Sequence, residues 1–477
     1  MPVKNDRPGA FELSDVFLIS YANNELGQPN RLNIRNLITE FNIYESLDSK
    51  FLSGDMILTD ATNVIHTLPL TGFERIEFFF RSPNTTVGYD FGVDKGHPMF
   101  VYNLKNRQAV SLNSQIYQLK FISLEGIRDH QTRISKAFSG NIEQMIADIS
   151  NNFLKTKKNV LVEETKSNHK FVMPRIKPST AIDQLCKVAR SKNFENSGFV
   201  FYEDANAFHF KSYEGLFCKT NGTPREPVAH YSPKVKNILK KGDEGKTTYD
   251  LQAVESFKVL NQYNTLNNTA YGAYSSRLIT HDLYNKTFNE FDFDYNVEYA
   301  KQNHLEQDAK GDKRDDNGIL PFFNYDNGES FGMKHEGVLF LQSETAKVHN
   351  THELPQSKNI LQKRISQKLA INSLVLEITI PGFSEVRVGS VVTFTMPNFS
   401  RTSQEDKEAK DKYLSGRYLI NAARHHVSAL NKRHTMVLEL VKDSFNINYP
   451  EEQYDLFTNN EADDGLLYST SHLDETQ

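Results

Sequence analysis

Four groupings of this chain bring together residues able to do chemistry. Gly242-Asp243-Glu244-Gly245-Lys246-Thr247-Thr248 ends as a phosphate loop ends, with a lysine and two hydroxyls after a glycine. Such a loop needs four residues between its glycines so that the backbone amides can wrap a phosphate. Here only two intervene, and a charged turn is expected. His425-His426 with His434 offers imidazoles to a metal. Adjacent strand residues point to opposite faces, so one of the pair faces away from any common ligand, and a core or interface role is expected. Lone His66, His97 and His230 have no partner at ligand spacing. Glu40, Glu45, Asp60 and Glu74 are carboxylates near strand ends. A glycosidase holds its two carboxylates about 5–10 Å apart in a cleft, and nothing in the spacing marks such a pair. Cys186 and His209 would make a thiol pair, but Cys186 sits between Leu185 and Val188 on the apolar side of a helical pattern, so packing is the better account. No Gly-X-Ser-X-Gly elbow occurs. The expectation is no catalytic residue, no cofactor and no metal.

Bulk composition points the same way. A chain of 477 residues holds two to four domains. The net charge of −5 argues against a duplex-binding surface, which needs a clear excess of Lys and Arg. The two cysteines, Cys186 and Cys218, lack metal spacing and are expected as free thiols. Met1 to Arg7 lacks the apolar core of a signal peptide, and no apolar run approaches the roughly 20 residues of a membrane span. Synthesis in a cytoplasm, without membrane insertion, is expected. The Asn84-Thr85-Thr86 site then carries no glycosylation meaning.

The elements that must position these residues are mostly strands. Residues 11 to 125 read as strand after strand: Phe11 to Tyr21, the alternating Ile38 to Ser46, Leu52 to Asp60, Thr67 to Phe80, Phe100 to Leu104 and Gln115 to Ser123. Gly54 and Gly72 are expected at tight turns or bulges that bend a closing sheet. After Arg128 the period changes. Ile142, Met145, Ile146, Ile149 and Phe153 share one helix face, with Ser139 or Asn141 as cap. A second helix follows Pro178-Ser179-Thr180, and Asp204-Ala205-Asn206 turns a hairpin. Strand pattern resumes at Val254 to Leu260, gives way to an aromatic, polar, irregular stretch from 263 to 345, and returns at Asn372 to Ile380. It continues through Val386 to Pro397, where Gly389 marks a turn, through Gly416 to Val427, and through Thr435 to Val441. Gln307 to Asp316 and Gln404 to Lys412 are charge-dense loops, and the acidic residues beyond Phe445 read as an arm without its own core.

Together these words resemble the central hub subunit of T-even-type contractile-tail phage baseplates, whose barrels are related to those of type VI secretion spikes. The resemblance rests on "F-N-I-Y-E-S-L" (Phe41 to Leu47), "L-S-G-D-M-I-L-T-D" (Leu52 to Asp60), "L-P-L-T-G-F-E-R-I" (Leu68 to Ile76), "P-S-T-A-I-D-Q-L-C-K-V-A-R" with "G-F-V-F-Y-E-D", and "G-R-Y-L-I" (Gly416 to Ile420). It covers most of 11 to 445. It implies a mainly β (α+β) chain: a first tube barrel at 1–126, an α/β module at 127–225, a second tube barrel at 226–262 and 346–446, an insertion at 263–345 and an acidic arm at 447–477. It further implies a homotrimer whose six barrels make a pseudo-sixfold ring in the virion baseplate. That ring would join a threefold central spike to a sixfold tail tube or tube initiator, touch baseplate wedge proteins, and let DNA pass through its lumen without specific binding.

Residues are assigned on this basis. Gly54, Gly72, Gly389 and Gly416 are expected as structural turns. Phe41, Ile43, Tyr44, Val388, Val391 and Thr393 are the candidate subunit interface. Two other classes stay open: a tail-associated peptidoglycan hydrolase housed in 263 to 345, and a glycan-binding adhesin using the many Tyr and Phe side chains.

Overall fold

Strand alternation organises the computed structural model, which describes residues 8–23, 29–68, 70–83, 85, 87–92, 97–194, 197–233, 252–282, 285–295, 298, 301–306, 337–343, 357–397, 410–411 and 413–445. The phosphate-loop look-alike at 242–248, nearly all of the two charge-dense loops and the 447–477 arm lie outside the described residues.

The chain is mainly β, and one sheet of fourteen described strands runs through both ends of the sequence. Its N-terminal part passes in order through Ile38–Ser46, Ser53–Asp60, Ser114–Ser123, Met99–Ser111, Arg75–Glu77, Phe17–Asn23 and Pro29–Asn33. Alternate residues of Ser114–Ser123 (Tyr117, Leu119, Phe121) point into a core with Phe41, Met56, Leu58, Ile76, Phe78 and Phe80. The C-terminal part branches from Gly416–Ser428. One arm runs through Arg433–Lys442 and Leu374–Pro381 to Ser256–Gln262, the other through Val391–Phe394 and His230–Pro233 to Ala253–Val254. In Arg433–Lys442 the in-phase residues Met436, Leu438 and Leu440 are fully buried, as a period of two requires.

The two parts meet along one antiparallel ladder. Ile38–Ser46 pairs with Gly416–Ser428 from Ser46↔Ala422 to Glu40↔Ser428. Two barrels are expected from the sequence. No continuous ladder among the described residues closes either part. The C-terminal part comes nearest, because its two arms converge on the neighbouring strands 253–254 and 256–262. Closure in that part depends on a single chain segment rather than on an edge-to-edge ladder.

Between the two β parts stands the α/β unit. The helix Ile142–Asp148 continues into a wide turn at Ile149–Phe153, and the helix Pro178–Val188 starts on its proline, a residue whose fixed φ suits a first turn. The second buries its apolar face on the Phe199–Glu203/Ala207–Ser212 hairpin, and the first packs beside it in the same core. Asp204 Oδ1 accepts from the amides of Asn206 and Ala207 at 2.7 Å each and so holds the hairpin turn.

Two further elements depart from expectation. The stretch read as irregular contains a three-stranded sheet, Thr287–Asp294, Ser275–Asp282 and Leu339–Ser343. Within the span assigned to the second barrel lies a fifteen-residue helix, Ser357–Ile371. Its buried positions are Gln362, Ser366, Gln367 and Ile371. Gln362 Nε2 donates to Ser276 O (3.0 Å) and Ser366 Oγ to Ala273 O (2.6 Å). A helix whose inner face is polar leaves no apolar period to read.

Candidate functional site at the seam between the two β parts

The ladder joining the two β parts covers a chain of buried polar side chains, and the alternation of its strands supplies them. Glu45 points inward from Ile38–Ser46, Tyr89 from the Tyr89–Asp90 strand, His425 from Gly416–Ser428 and His434 from Arg433–Lys442, while Arg387 precedes the turn at Gly389. Tyr89 Oη donates to Glu45 Oε1 at 2.8 Å and lies 2.7 Å from His425 Nε2. His425 Nδ1 lies 3.1 Å from His434 Nε2. Arg387 Nη1 donates to Glu45 Oε1 at 3.1 Å, and its guanidinium sits 3.9 Å above the Tyr89 ring.

The proton positions follow from this geometry. Tyr89 gives its one hydrogen to Glu45, so His425 Nε2 donates to the Tyr89 oxygen. His425 Nδ1 then accepts from His434 Nε2, and His434 Nδ1 is left buried without a partner. Both rings are neutral. Burial, with His434 and Arg387 nearby, holds His425 well below its ordinary value, and burial with His426 nearby pushes His434 down to about 3. Burial raises the Glu45 carboxyl, and Arg387, Tyr89 and the Val388 amide oppose that rise. A buried pair of this kind is costly to break by removing one partner.

Two more buried ion pairs fasten other units to the sheet. Lys158 Nζ donates to Glu203 Oε1 at 2.7 Å, while Glu203 Oε2 accepts from the Leu52 amide and Ser123 Oγ at 2.7 Å each. That carboxylate ties the α/β unit to the N-terminal β part; burial raises its pKa against the pull of Lys158. Lys442 Nζ lies 2.7 Å from Glu306 Oε1, which also accepts from the Arg417 amide at 2.7 Å. His304 Nδ1 lies 2.9 Å from Asp443 Oδ2, so 301–306 is pinned to the C-terminal β part by this contact as well as by the Lys442–Glu306 pair.

The glycines assigned as turns have distinct physical reasons. Gly72, Gly389 and Gly416 have φ of +91°, +79° and +137°, a region that L side chains avoid. A Cβ at Gly389 would meet the Tyr202 hydroxyl, and one at Gly416 would sit on Glu306 Oε1 and Lys442 Nζ. Gly54 is not at a turn: it lies within the Ser53–Asp60 strand and needs space, because its Cβ would stand 2.5 Å from Asn42 O and from the Phe121 ring.

The candidate subunit interface needs correction. Phe41, Ile43, Val388 and Val391 are 1%, 0%, 3% and 2% exposed and belong to the chain's own cores. The Ile38–Ser46 strand and the Val391–Phe394 strand each pair on both edges within the chain, so neither offers a free edge to a second copy. Thr393 is half-buried and its amide donates to Ala229 O. Tyr44 remains exposed, with its hydroxyl donating to Asp55 Oδ1 at 2.6 Å. Phe41 and Ile43 lie on one face of their strand and Tyr44 on the other, so these residues do not form one outward surface.

The other chemical groupings separate in space. His425 faces the core and His426 faces Asn42 on the opposite side of the sheet, its Nδ1 3.0 Å from Asn42 Oδ1. Asp60 takes Val64 N and Glu74 takes Thr71 and Gly72, so both carboxylates hold turns. His209 pairs with Asp204 at 2.8 Å rather than with Cys186, whose thiol burial pushes up to about 12. Sequence reading missed Tyr89, Arg387, Lys158, Lys442 and Glu306. A signal existed for His434 and Lys442, which fall in phase with Met436, Leu438 and Leu440.

Comparison with known proteins puts this geometry in a context. No protein-family model matches the chain. It is 23% identical over 435 residues to "Probable baseplate hub protein gp334" of Vibrio phage KVP40, covering 86% of this chain and 91% of that one. A tail protein from Neisseria meningitidis MC58 has a similar fold, with a TM-score of 0.50, 11% identity, and coverage of 91% and 97% of the two chains. The 43 kDa tail protein of prophage MuSo2 from Shewanella oneidensis aligns at a TM-score of 0.47 and 10% identity, covering 91% and 100%. The resemblance to baseplate hub subunits of contractile-tail phages thus extends over most of the chain.

Proposed function

We propose that this chain is a structural hub protein of a phage tail baseplate, without catalytic activity. Three copies form a ring in which each contributes two β parts, giving six similar segments. The ring joins a threefold central spike to a sixfold tail tube or tube initiator, meets wedge proteins at its rim, and lets DNA through its lumen. The observation that carries this reading is the ladder between Ile38–Ser46 and Gly416–Ser428. It makes the two β parts neighbours in one sheet, as two adjacent ring segments must be, and it is locked by the buried Glu45–Arg387 pair. Hub similarity along 86% of the chain supports it. A threefold ring requires head-to-tail contacts between two different patches. The Met99–Ser111/Ser114–Ser123 hairpin is one such patch. Its tip carries Val110, near the end of the first strand, and Leu112 in the turn, 63% and 104% exposed, where a monomer gains nothing from apolar side chains.

Image averages of the purified protein with its spike test the proposal. A threefold ring with six similar lobes is expected. Single-chain particles under those conditions would overturn it.

A further inference from the structure

A cavity of about 230 Å³ opens where the helices Ser357–Ile371 and Pro178–Val188 and the Phe199–Glu203 strand meet the turn at 47–50. Its wall carries four cationic side chains, Lys50, Lys187, Arg364 and Lys368, against two carboxylates, Asp48 and Asp183. Those carboxylates are engaged: Asp183 lies 2.8 Å from Lys50 Nζ, and Asp48 lies 3.7 Å from Lys368 Nζ. Two cations are left over: Lys187, which is exposed, and Arg364, which is not. Its Nε is buried without an acceptor, and among the described residues its electrostatic neighbours are only the Cys186 thiol and the Tyr213 hydroxyl. A guanidinium held half out of water without a carboxylate carries a desolvation cost, and a bidentate carboxylate would offset it.

We propose that this cavity is the docking site of the chain's own acidic C-terminal segment, 447–477, with Glu451 or Glu452 seated on Arg364. Charge selects the occupant. The segment has eight carboxylates (Glu451, Glu452, Asp455, Glu461, Asp463, Asp464, Asp474, Glu475) and no Lys or Arg. Reach allows it. Lys442 pairs with Leu374, three residues past the end of the helix that carries Arg364. Arg364 lies seven positions before Ile371, about 10 Å along the helix axis. Glu451 comes six residues after Phe445, a span of about 20 Å when extended. Tyr454 and Phe457 follow at a spacing that can anchor apolar contacts beside the cavity.

The chain has no tryptophan, so Tyr454→Trp in the full-length protein makes a single reporter. Acrylamide quenching of that residue should be about threefold weaker than when Arg364→Ala is added, and should rise toward the Arg364→Ala level at high salt. Glu451→Gln with Glu452→Gln should loosen the reporter equally. Arg364→Gln and a thermal melt of each variant separate undocking from misfolding. Equal quenching with and without Arg364 in folded protein would overturn the proposal. So would protection that grows with protein concentration, because it would place the segment on a second copy.

Discussion

The two β parts share one sheet and one strand chemistry, yet they are built to different tolerances. The N-terminal core is filled almost entirely by its own strands and turns, with Ala205 and Val427 as the buried exceptions. The C-terminal core draws Val200, Tyr202, Tyr213, Leu216 and Phe217 from the α/β unit and Leu305 from the insertion. Their turn glycines differ in the same way. Gly72 has open space where a Cβ would go, whereas Gly389 is crowded by Tyr202 of the α/β unit and Gly416 by Glu306 of the insertion and by its own part's Lys442. The contrast shows where rigidity resides: the C-terminal part is keyed into everything around it, and the N-terminal part keeps a projecting hairpin free for contact.

Substitutions can break this contrast. Gly416→Val should have the largest effect. It combines a strained φ with displacement of the buried Lys442–Glu306 pair, and together these should cost about 4–8 kcal/mol by chemical denaturation. Arg387→Ala, which strands Glu45 at the seam, should cost about 3–5 kcal/mol. A melting temperature within a degree of the parent would remove the seam from the account.

Acid should act through the C-terminal part. An unfolded histidine takes up a proton near pH 6.5, whereas buried His434 does so only at about 3. Because its folded value is depressed, its contribution is present above 6.5 and is lost as pH falls through that window. The slope is on the order of 1.4 kcal/mol per pH unit. Stability measured from pH 7 to 5 should lose about that slope less steeply in His434→Gln. Parallel curves would mean that the ring is protonated in the folded state.

Smaller effects sharpen the comparison. Gly72→Ala should cost about 1 kcal/mol, for φ alone, and Gly389→Ala clearly more, since Tyr202 blocks it. Equal costs would show that the crowding is relieved. Leu112→Asp at the hairpin tip should leave melting within about 0.5 kcal/mol, the usual range for surface changes, and weaken ring assembly instead.

Much of this was legible in the chain. Period-two runs at Ile38–Ser46 and Arg433–Lys442, the Asp204 turn and the helix faces around Ile142 and Ile182 each have a local cause and appear where expected. The rest is decided by contacts distant in sequence. Ser357–Ile371 hides its inward face behind Gln362 and Ser366, whose partners lie near 275. Glu45, Tyr89 and Arg387 converge from positions up to 342 residues apart, so no spacing announces them. The interface assignment failed because alternation tells that a strand has two faces, not which one is inside.

The central claim is that the two β parts move as one unit across the Ile38–Ser46/Gly416–Ser428 ladder. Native-state hydrogen exchange on the full chain tests it most directly. The amides of both strands should open with one shared free energy, equal to the global value, and Arg387→Ala should lower both together. Opening of Ile38–Ser46 at a lower free energy than Gly416–Ser428 would contradict the claim, because the halves would then be independent bodies joined only by the chain.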